Sequence, residues 1–261
     1  MDSLVVCFNG VGSAFAKKNS PTSMILAKNG KVLLVDCGTT VPVVLAEKQI
    51  KVTDFDGYYV THSHADHIGG LEELLLTARY QERIKPTMLI SDRFQKLLWE
   101  RSLRGGSEFN ENGVLQFNDL ARTVRPKRIP GKPREMCRAR FQGFDLVLFR
   151  TLHVPGSASS WEHAYWSTGL LVEDKVLLTA DTRFDPSLFA DIEMAKVSVI
   201  FHDCQLFQPG NVHATYWELK TLPADLRARM WLTHYGDNFA QFHPKRDGFL
   251  GFVQPWVLYR F

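Results

Sequence analysis

The chain has 261 residues, 45% of them hydrophobic, 12% aromatic and 23% charged, which excludes extended disorder, collagen-like repeats and coiled coil. Its 31 basic and 28 acidic residues leave +3, too weak a balance to mark a nucleic-acid binder yet compatible with an anionic substrate. Four scattered cysteines (Cys7, Cys37, Cys137, Cys204) without a C-x-x-C pair predict reduced thiols in a cytoplasm, and no apolar run approaches the ~18–20 residues that span a bilayer, so no membrane partner is expected.

The start carries Asp2 and a short apolar stretch, Leu4 to Phe8, which reads as a strand because a signal peptide needs a basic start and a longer apolar run. Strands follow at 23–27 and 31–36, joined by Asn29-Gly30, a two-residue hairpin turn whose positions both need positive φ. A buried strand at 58–62 leads through a tight polar turn into a helix over 68–82, with Leu71, Leu74, Leu75 and Ala78 at helical spacing. After a strand at 87–90, Asp92 caps a helix running through Phe94, Leu97, Leu98 and Trp99.

From Ser102 to Gly143 the pattern weakens, with a helix only at 115–124, so this segment reads as an insertion or lid. Between Arg122 and Arg140 it holds eight basic residues against one acid, Glu135, which makes either a solvated loop or a phosphate-contacting surface. Strands resume at 145–152, 168–172, 175–181, 197–203, 230–234 and 256–261, with helical pieces after Asp185-Pro186 and at 214–222 and 223–229. No internal repeat and no linker divides residues 1–261, which are read as one domain.

Residues 61–70 read THSHADHIGG and place His62, His64, Asp66 and His67 within six positions. At the end of an extended strand alternate side chains point the same way, so His62 and His64 can grip one metal while the turn aims Asp66 and His67 elsewhere. A two-metal site needs further ligands from other strand ends, and His153, Asp181 and His234 each close or follow an apolar run, as Asp36 does. His202 and Asp203 read as the polar exit of the strand 197–203, with a third ligand pair as the alternative. His163 is read as a substrate contact or an idle surface group, and His243, before Pro244, as solvent-facing. Gly10 and Gly12 lack the third glycine of a dinucleotide fingerprint and read as a tight turn near the site.

The motifs D-C-G at 36–38 and H-S-H-A-D-H at 62–67, then His153, Asp181 and His234 in this order, resemble the metallo-β-lactamase superfamily of binuclear hydrolases over nearly the whole chain. The resemblance implies an α/β chain folded as the four-layered αβ/βα sandwich, with His62, His64 and His153 on one metal, Asp66, His67 and His234 on the other, Asp181 bridging both, and Asp36 orienting ligands. It implies two Zn²⁺, with Mn²⁺ as the alternative. The opening NGVGSAF, KKNSPTSMIL and LLVDCG resemble the tRNA 3′-processing branch, RNase Z, as does His213, although Ala214 stands where that branch keeps a serine. The resemblance extends to phage-type, anti-Pycsar-like phosphodiesterases that destroy cyclic-nucleotide immune signals.

The implied activity is phosphodiester hydrolysis by a hydroxide bridging the two metals, with His213 as general acid and Asp66 assisting. The expected substrate is a 3′,5′-cyclic nucleotide, because the basic 102–143 segment is short for a tRNA-binding arm. Pre-tRNA is the runner-up, and lactone, thioester or β-lactam hydrolysis is a further reading on the same fold. The branch also implies a homodimer, in which the irregular 102–143 segment is free to cover a neighbouring site.

Overall fold

The computed structural model describes residues 3–111 and 113–261, so Asp2 of the N-terminal reading, with Met1 and Asn112, lies outside the described residues. The hairpin forms as expected: Asn29 (φ 52°) and Gly30 (φ 72°) join Ser23–Lys28 to Lys31–Val35 in antiparallel register.

Alternation along the strands then separates two layers of core. Leu33, Val35, Tyr59 and Leu89 point into the larger core, where they meet Phe141, Phe144 and Phe149 of the second sheet. Their neighbours Leu34, Tyr58 and Met88 point the other way, onto helices carrying Val41, Leu45, Leu71, Leu74 and Phe94. A strand with apolar residues on both faces is buried on both faces, which is what a sheet sandwiched between helices and another sheet demands.

One sheet runs Leu258–Arg260, Val5–Gly10, Ser23–Lys28, Lys31–Val35, Gly57–Tyr59, Thr87–Leu89, Arg122–Val124; the other runs Gly251–Phe252, Met230–Thr233, Val199–Asp203, Val176–Leu178, Thr168–Val172, Phe144–Arg150, Met136–Phe141, Lys127–Arg128. The two follow one plan. Each changes from antiparallel to parallel pairing at a single strand, Lys31–Val35 in the first and Val176–Leu178 in the second. Asp36 follows the first of these and Asp181 the second, while His62 and Asp203 lie at the ends of the next strand over in each sheet. Side chains with chemistry therefore gather outside the carboxyl ends of the strands, where open α/β sheets form their crevice.

Three expectations are corrected. The helix Asp92–Leu98 is capped by Ser91, whose hydroxyl accepts from the Phe94 amide; Asp92 is its first helical residue. The helix expected over 68–82 is a turn at Ala65–Ile68 followed by Leu71–Thr77 and a wider coil to Glu82. Within 102–143 the helix expected at 115–124 is Phe117–Leu120 alone; Arg122–Val124 instead pairs with Thr87–Leu89, and Lys127–Arg128 and Met136–Phe141 extend the second sheet. Strands of two or three residues carry too few alternations to register as a pattern. The basic run is not uniformly solvated either, since Arg134 is fully buried, donating to Asp191, Asp185 and the Arg150 carbonyl. Among the described residues no helix is long and apolar enough to cross a membrane.

Candidate metal centre

The D-C-G turn is strapped to the histidine-rich loop. The Cys37 amide donates to the His67 carbonyl at 2.8 Å, and the Gly70 amide to the Cys37 carbonyl at 2.9 Å. Gly38 permits this approach: a Cβ there would lie 1.9 Å from the Asp66 carbonyl oxygen. Asp36 itself adopts φ 63°, and Ala180 (52°) and His234 (57°) share that left-handed conformation, so three strand ends that deliver site groups bend in the same strained way.

Four imidazoles are oriented by what their Nδ1 atoms donate to. His67 donates to Asp36 at 2.7 Å. The Thr61 hydroxyl donates to the same carboxylate at 2.9 Å and takes the His62 Nδ1 proton at 3.0 Å, so Asp36 fixes two rings, one directly and one through Thr61. His153 donates to the Val212 carbonyl at 2.7 Å. His234 donates to Thr22 at 3.2 Å, and that hydroxyl passes its own proton to the Gly12 carbonyl at 3.0 Å. With Nδ1 committed, each ring turns its Nε2 to one centre, where those of His62 and His153 lie 3.0 and 3.2 Å from His64 Nδ1, the arrangement that orients histidines toward a metal.

Around that centre two sets that share Asp181 converge, each with its ligand atoms within 4.8 Å of one another: His62, His64, His153 and Asp181, and Asp66, His67, Asp181 and His234; beside them Asp203, His213 and His234 make a third. Asp181 belongs to both, its Oδ2 3.3 Å from His67 Nε2, 3.4 Å from His234 Nε2 and 3.7 Å from His62 Nε2. The Nε2 atoms of His67 and His234 are buried without a hydrogen-bond partner, a costly state unless a cation completes them. Burial pushes His62 well below the ordinary imidazole range and His153 down to about 4, keeping both neutral as ligation requires. Although burial opposes charge on His67, the carboxylates of Asp181 and Asp36 hold it well above that range, so its pocket attracts positive charge. The residues fit a pair of metal ions.

His213 stands beside the sets. Its Nδ1 donates to Asp203 Oδ2 at 2.7 Å and lies 3.9 Å from Asp181 Oδ2. Burial works against its charged form, but the Asp203 carboxylate outweighs it and His213 is pushed up to about 9, leaving it a proton donor at neutral pH.

The profile of the family described as Anti-Pycsar protein Apyc1 matches residues 4–259. An anti-Pycsar protein Apyc1 from Paenibacillus harenae is 37% identical over 247 residues, 94% of this chain and 95% of that relative. The chain belongs to the anti-Pycsar protein Apyc1 family. Two solved structures illustrate its fold. The metallo-β-lactamase fold protein YhfI from Bacillus subtilis has a TM-score of 0.71 at 15% identity, covering 99% of this chain and 100% of its own. Human tRNase Z, short form, has a TM-score of 0.66 at 18% identity, covering 98% of each chain. At these identities they speak for architecture alone: this Apyc1-family chain has the metallo-β-lactamase fold.

All eight residues expected at the site or orienting it, with His213, are brought together. His202 is not: it is buried against Phe189, donating to the Asp203 carbonyl. Asp203, read as the exit of its strand with a third ligand pair as the alternative, holds His213, groups with it and His234, and accepts from the Thr182 amide at 3.0 Å. His163 bonds only to neighbouring serines on an exposed loop, and His243 is exposed. Ala214, the departure from the RNase Z pattern, is fully buried, its amide donating to the Thr182 carbonyl beside the site. Arg150 went unnoticed in the sequence. Buried under Trp166, it donates to the carbonyls of Trp161, Ala164, Tyr165 and Ser167, which seats the loop whose Tyr165 ring stacks on His64.

Proposed function

We propose that this chain is a binuclear metal-dependent phosphodiesterase acting on 3′,5′-cyclic nucleotides. It is a hydrolytic enzyme of the metallo-β-lactamase fold, and one observation supports the finer reading: two ligand sets joined at Asp181 lie beside a protonated His213 braced by Asp203. The first ion falls to His62, His64, His153 and Asp181, the second to Asp66, His67, His234 and Asp181, with Zn²⁺ suited to the nitrogen-rich donors and Mn²⁺ the alternative. Bound there, the ions would supply an activated water at neutral pH and a clamp for phosphoryl oxygens.

The chain's own residues do the rest. Asp36 and Thr61 hold His67 and His62 in place, and Asp66 assists from the second set, its Oδ2 3.3 Å from His67 Nε2. His213 gives its proton to the departing ribose oxygen, which would otherwise leave as an alkoxide. Asp203 keeps that proton on His213 until it is needed. The match to anti-Pycsar relatives agrees with the resemblance to enzymes that destroy cyclic-nucleotide signals. A tRNA substrate finds a reduced basic surface, since three of the run's eight basic residues, Arg125, Arg134 and Arg138, are committed to Asp92, Asp185 with Asp191, and Asp145.

The test is turnover of a chromogenic phosphodiester beside a panel of 3′,5′-cyclic nucleotides, pre-tRNA and nitrocefin, with added Zn²⁺ or Mn²⁺. Hydrolysis of the cyclic nucleotides supports the proposal; turnover confined to pre-tRNA or nitrocefin replaces it with one of the other readings. The proposed assembly is a homodimer, and sedimentation at micromolar concentration giving only monomer would remove any part for the 102–143 segment at a neighbouring site.

A further inference from the structure

A cleft of about 220 Å³ opens directly beside the candidate centre, and His213 and His234 form its inner end. Leu206, buried in the core, and Pro209 line it, and two phenylalanines stand at its mouth: Phe15, 88% exposed, and Phe207, 63% exposed. Single exposed apolar residues are ordinary, but two aromatic rings on separate loops flanking one cleft mark a place where something apolar is received.

Both loops are held in place. The Ser13 amide donates to the Tyr235 carbonyl, and the Lys17 and Lys18 amides to the Asp237 carboxylate at 2.8 and 2.9 Å, which pins the backbone on either side of Phe15. The Gln205 amide donates to the carbonyls of Phe207 and Pro209, both at 2.8 Å, and Asn238 to that of Leu206 at 3.0 Å. The rings are thus presented on braced backbone, the arrangement that lowers the ordering cost of a ligand contact.

We infer that Phe15 and Phe207 form the clamp for the nucleobase of the substrate. The inference rests on the phosphodiesterase reading and names the subsite that reading leaves open. The size supports a part of a ligand, because the cleft is below the ~300–1,000 Å³ of pockets that enclose a whole drug-sized molecule. Its chemistry supports a flat uncharged ring at the mouth and an anionic group at the end where His213 and the ligand sets lie. A nucleotide carries those two parts, and base–aromatic stacking is available to purines and pyrimidines alike.

The experiment compares wild type, Phe15→Ala, Phe207→Ala and Phe207→Leu on a 3′,5′-cyclic nucleotide and on the same cyclic ribose phosphate without a base. Because both rings are exposed, the variants should keep the wild-type melting temperature. The expected result is a rise in KM for the cyclic nucleotide of ~10–100-fold in each alanine variant, the scale of one lost stack, with kcat retained. The ratio of kcat/KM between base-bearing and base-free substrates should fall by the same factor, and Phe207→Leu should fall between. Equilibrium dialysis of the intact cyclic nucleotide against chelator-treated protein should show the same weakening. Equal losses on both substrates would overturn the clamp, as would unchanged KM accompanied by a shift from dimer to monomer in sedimentation, which would assign the rings to a second copy. If wild type hydrolyses no cyclic nucleotide, the phosphodiesterase reading fails and the clamp with it; if it does and the variants match it, the clamp alone fails.

Discussion

At the scale of single residues, His213 and Asp203 carry the sharpest expectations. If His213 donates a proton to the leaving oxygen, His213→Ala should leave metal content unchanged and lower kcat by ~10²–10⁴-fold. The loss should shrink on a nitrophenyl phosphodiester, whose leaving group departs without a proton; equal losses on both substrates would reassign His213 to holding phosphate. The pH profile gives an independent check. His213 is raised above its ordinary ~6.5, so its acid form persists through neutrality and is lost as pH rises through about 9. Activity should fall over that alkaline limb, and Asp203→Asn, which removes the carboxylate that raises it, should move the limb toward lower pH.

At the scale of elements, the strap between D-C-G and the histidine loop is tested by Gly38→Ala. The added methyl would meet the Asp66 carbonyl 1.9 Å away, so the loop must shift. We expect a destabilisation of ~1–3 kcal/mol from overpacking and metal affinity weakened ~10–100-fold as the ligands lose their orientation, read by denaturant unfolding and metal titration. This element also shows what the sequence could disclose. His62, His64, Asp66 and His67 were legible because one short stretch between a strand and a helix holds them all. His153, Asp181 and His234 were legible because each ends an apolar run. Thr61 and Thr22 were not: a threonine is ordinary anywhere, and Thr22 matters only because folding brings it to His234, 212 positions along the chain. The bond between Asp203 and His213 was hidden for the same reason, the two having no fixed spacing. Many of the strands were legible from alternation and turn residues and the sandwich from the resemblance that the motifs carry, whereas the strands between 122 and 141 escaped because Pro, Gly and arginine interrupt runs of two to six residues.

At the scale of the whole molecule, each ligand set draws on both halves of the chain: His62 and His64 from the first sheet with His153 and Asp181 from the second, and Asp66 and His67 with Asp181 and His234. Ions bound there would tie the two sheets together at one edge. Metal analysis of active protein should give two ions per chain, and Asp181→Ala should lower activity more than loss of any other single ligand. Chelation should lower the melting temperature by about 5–10 °C, because a ligand at a hundred times its Kd adds ~2.7 kcal/mol and a chain of this size shifts ~2–4 °C per kcal/mol. An unchanged melting temperature with metal removed would mean the halves are held by their shared core alone. The common plan of the sheets, in which the pairing direction changes one strand before each cluster, has a consequence for amide hydrogen exchange. The Thr61 amide is protected by Asp36 and the Thr182 amide by Asp203, both at the metal edge, while the Leu4 amide bonds to Phe261 at the first sheet's outer strand pair. Removing the ions should therefore speed exchange at Thr61 and Thr182 together, since Asp36 also braces His67 and Asp203 also braces His213 at that edge, and leave Leu4 at its former rate.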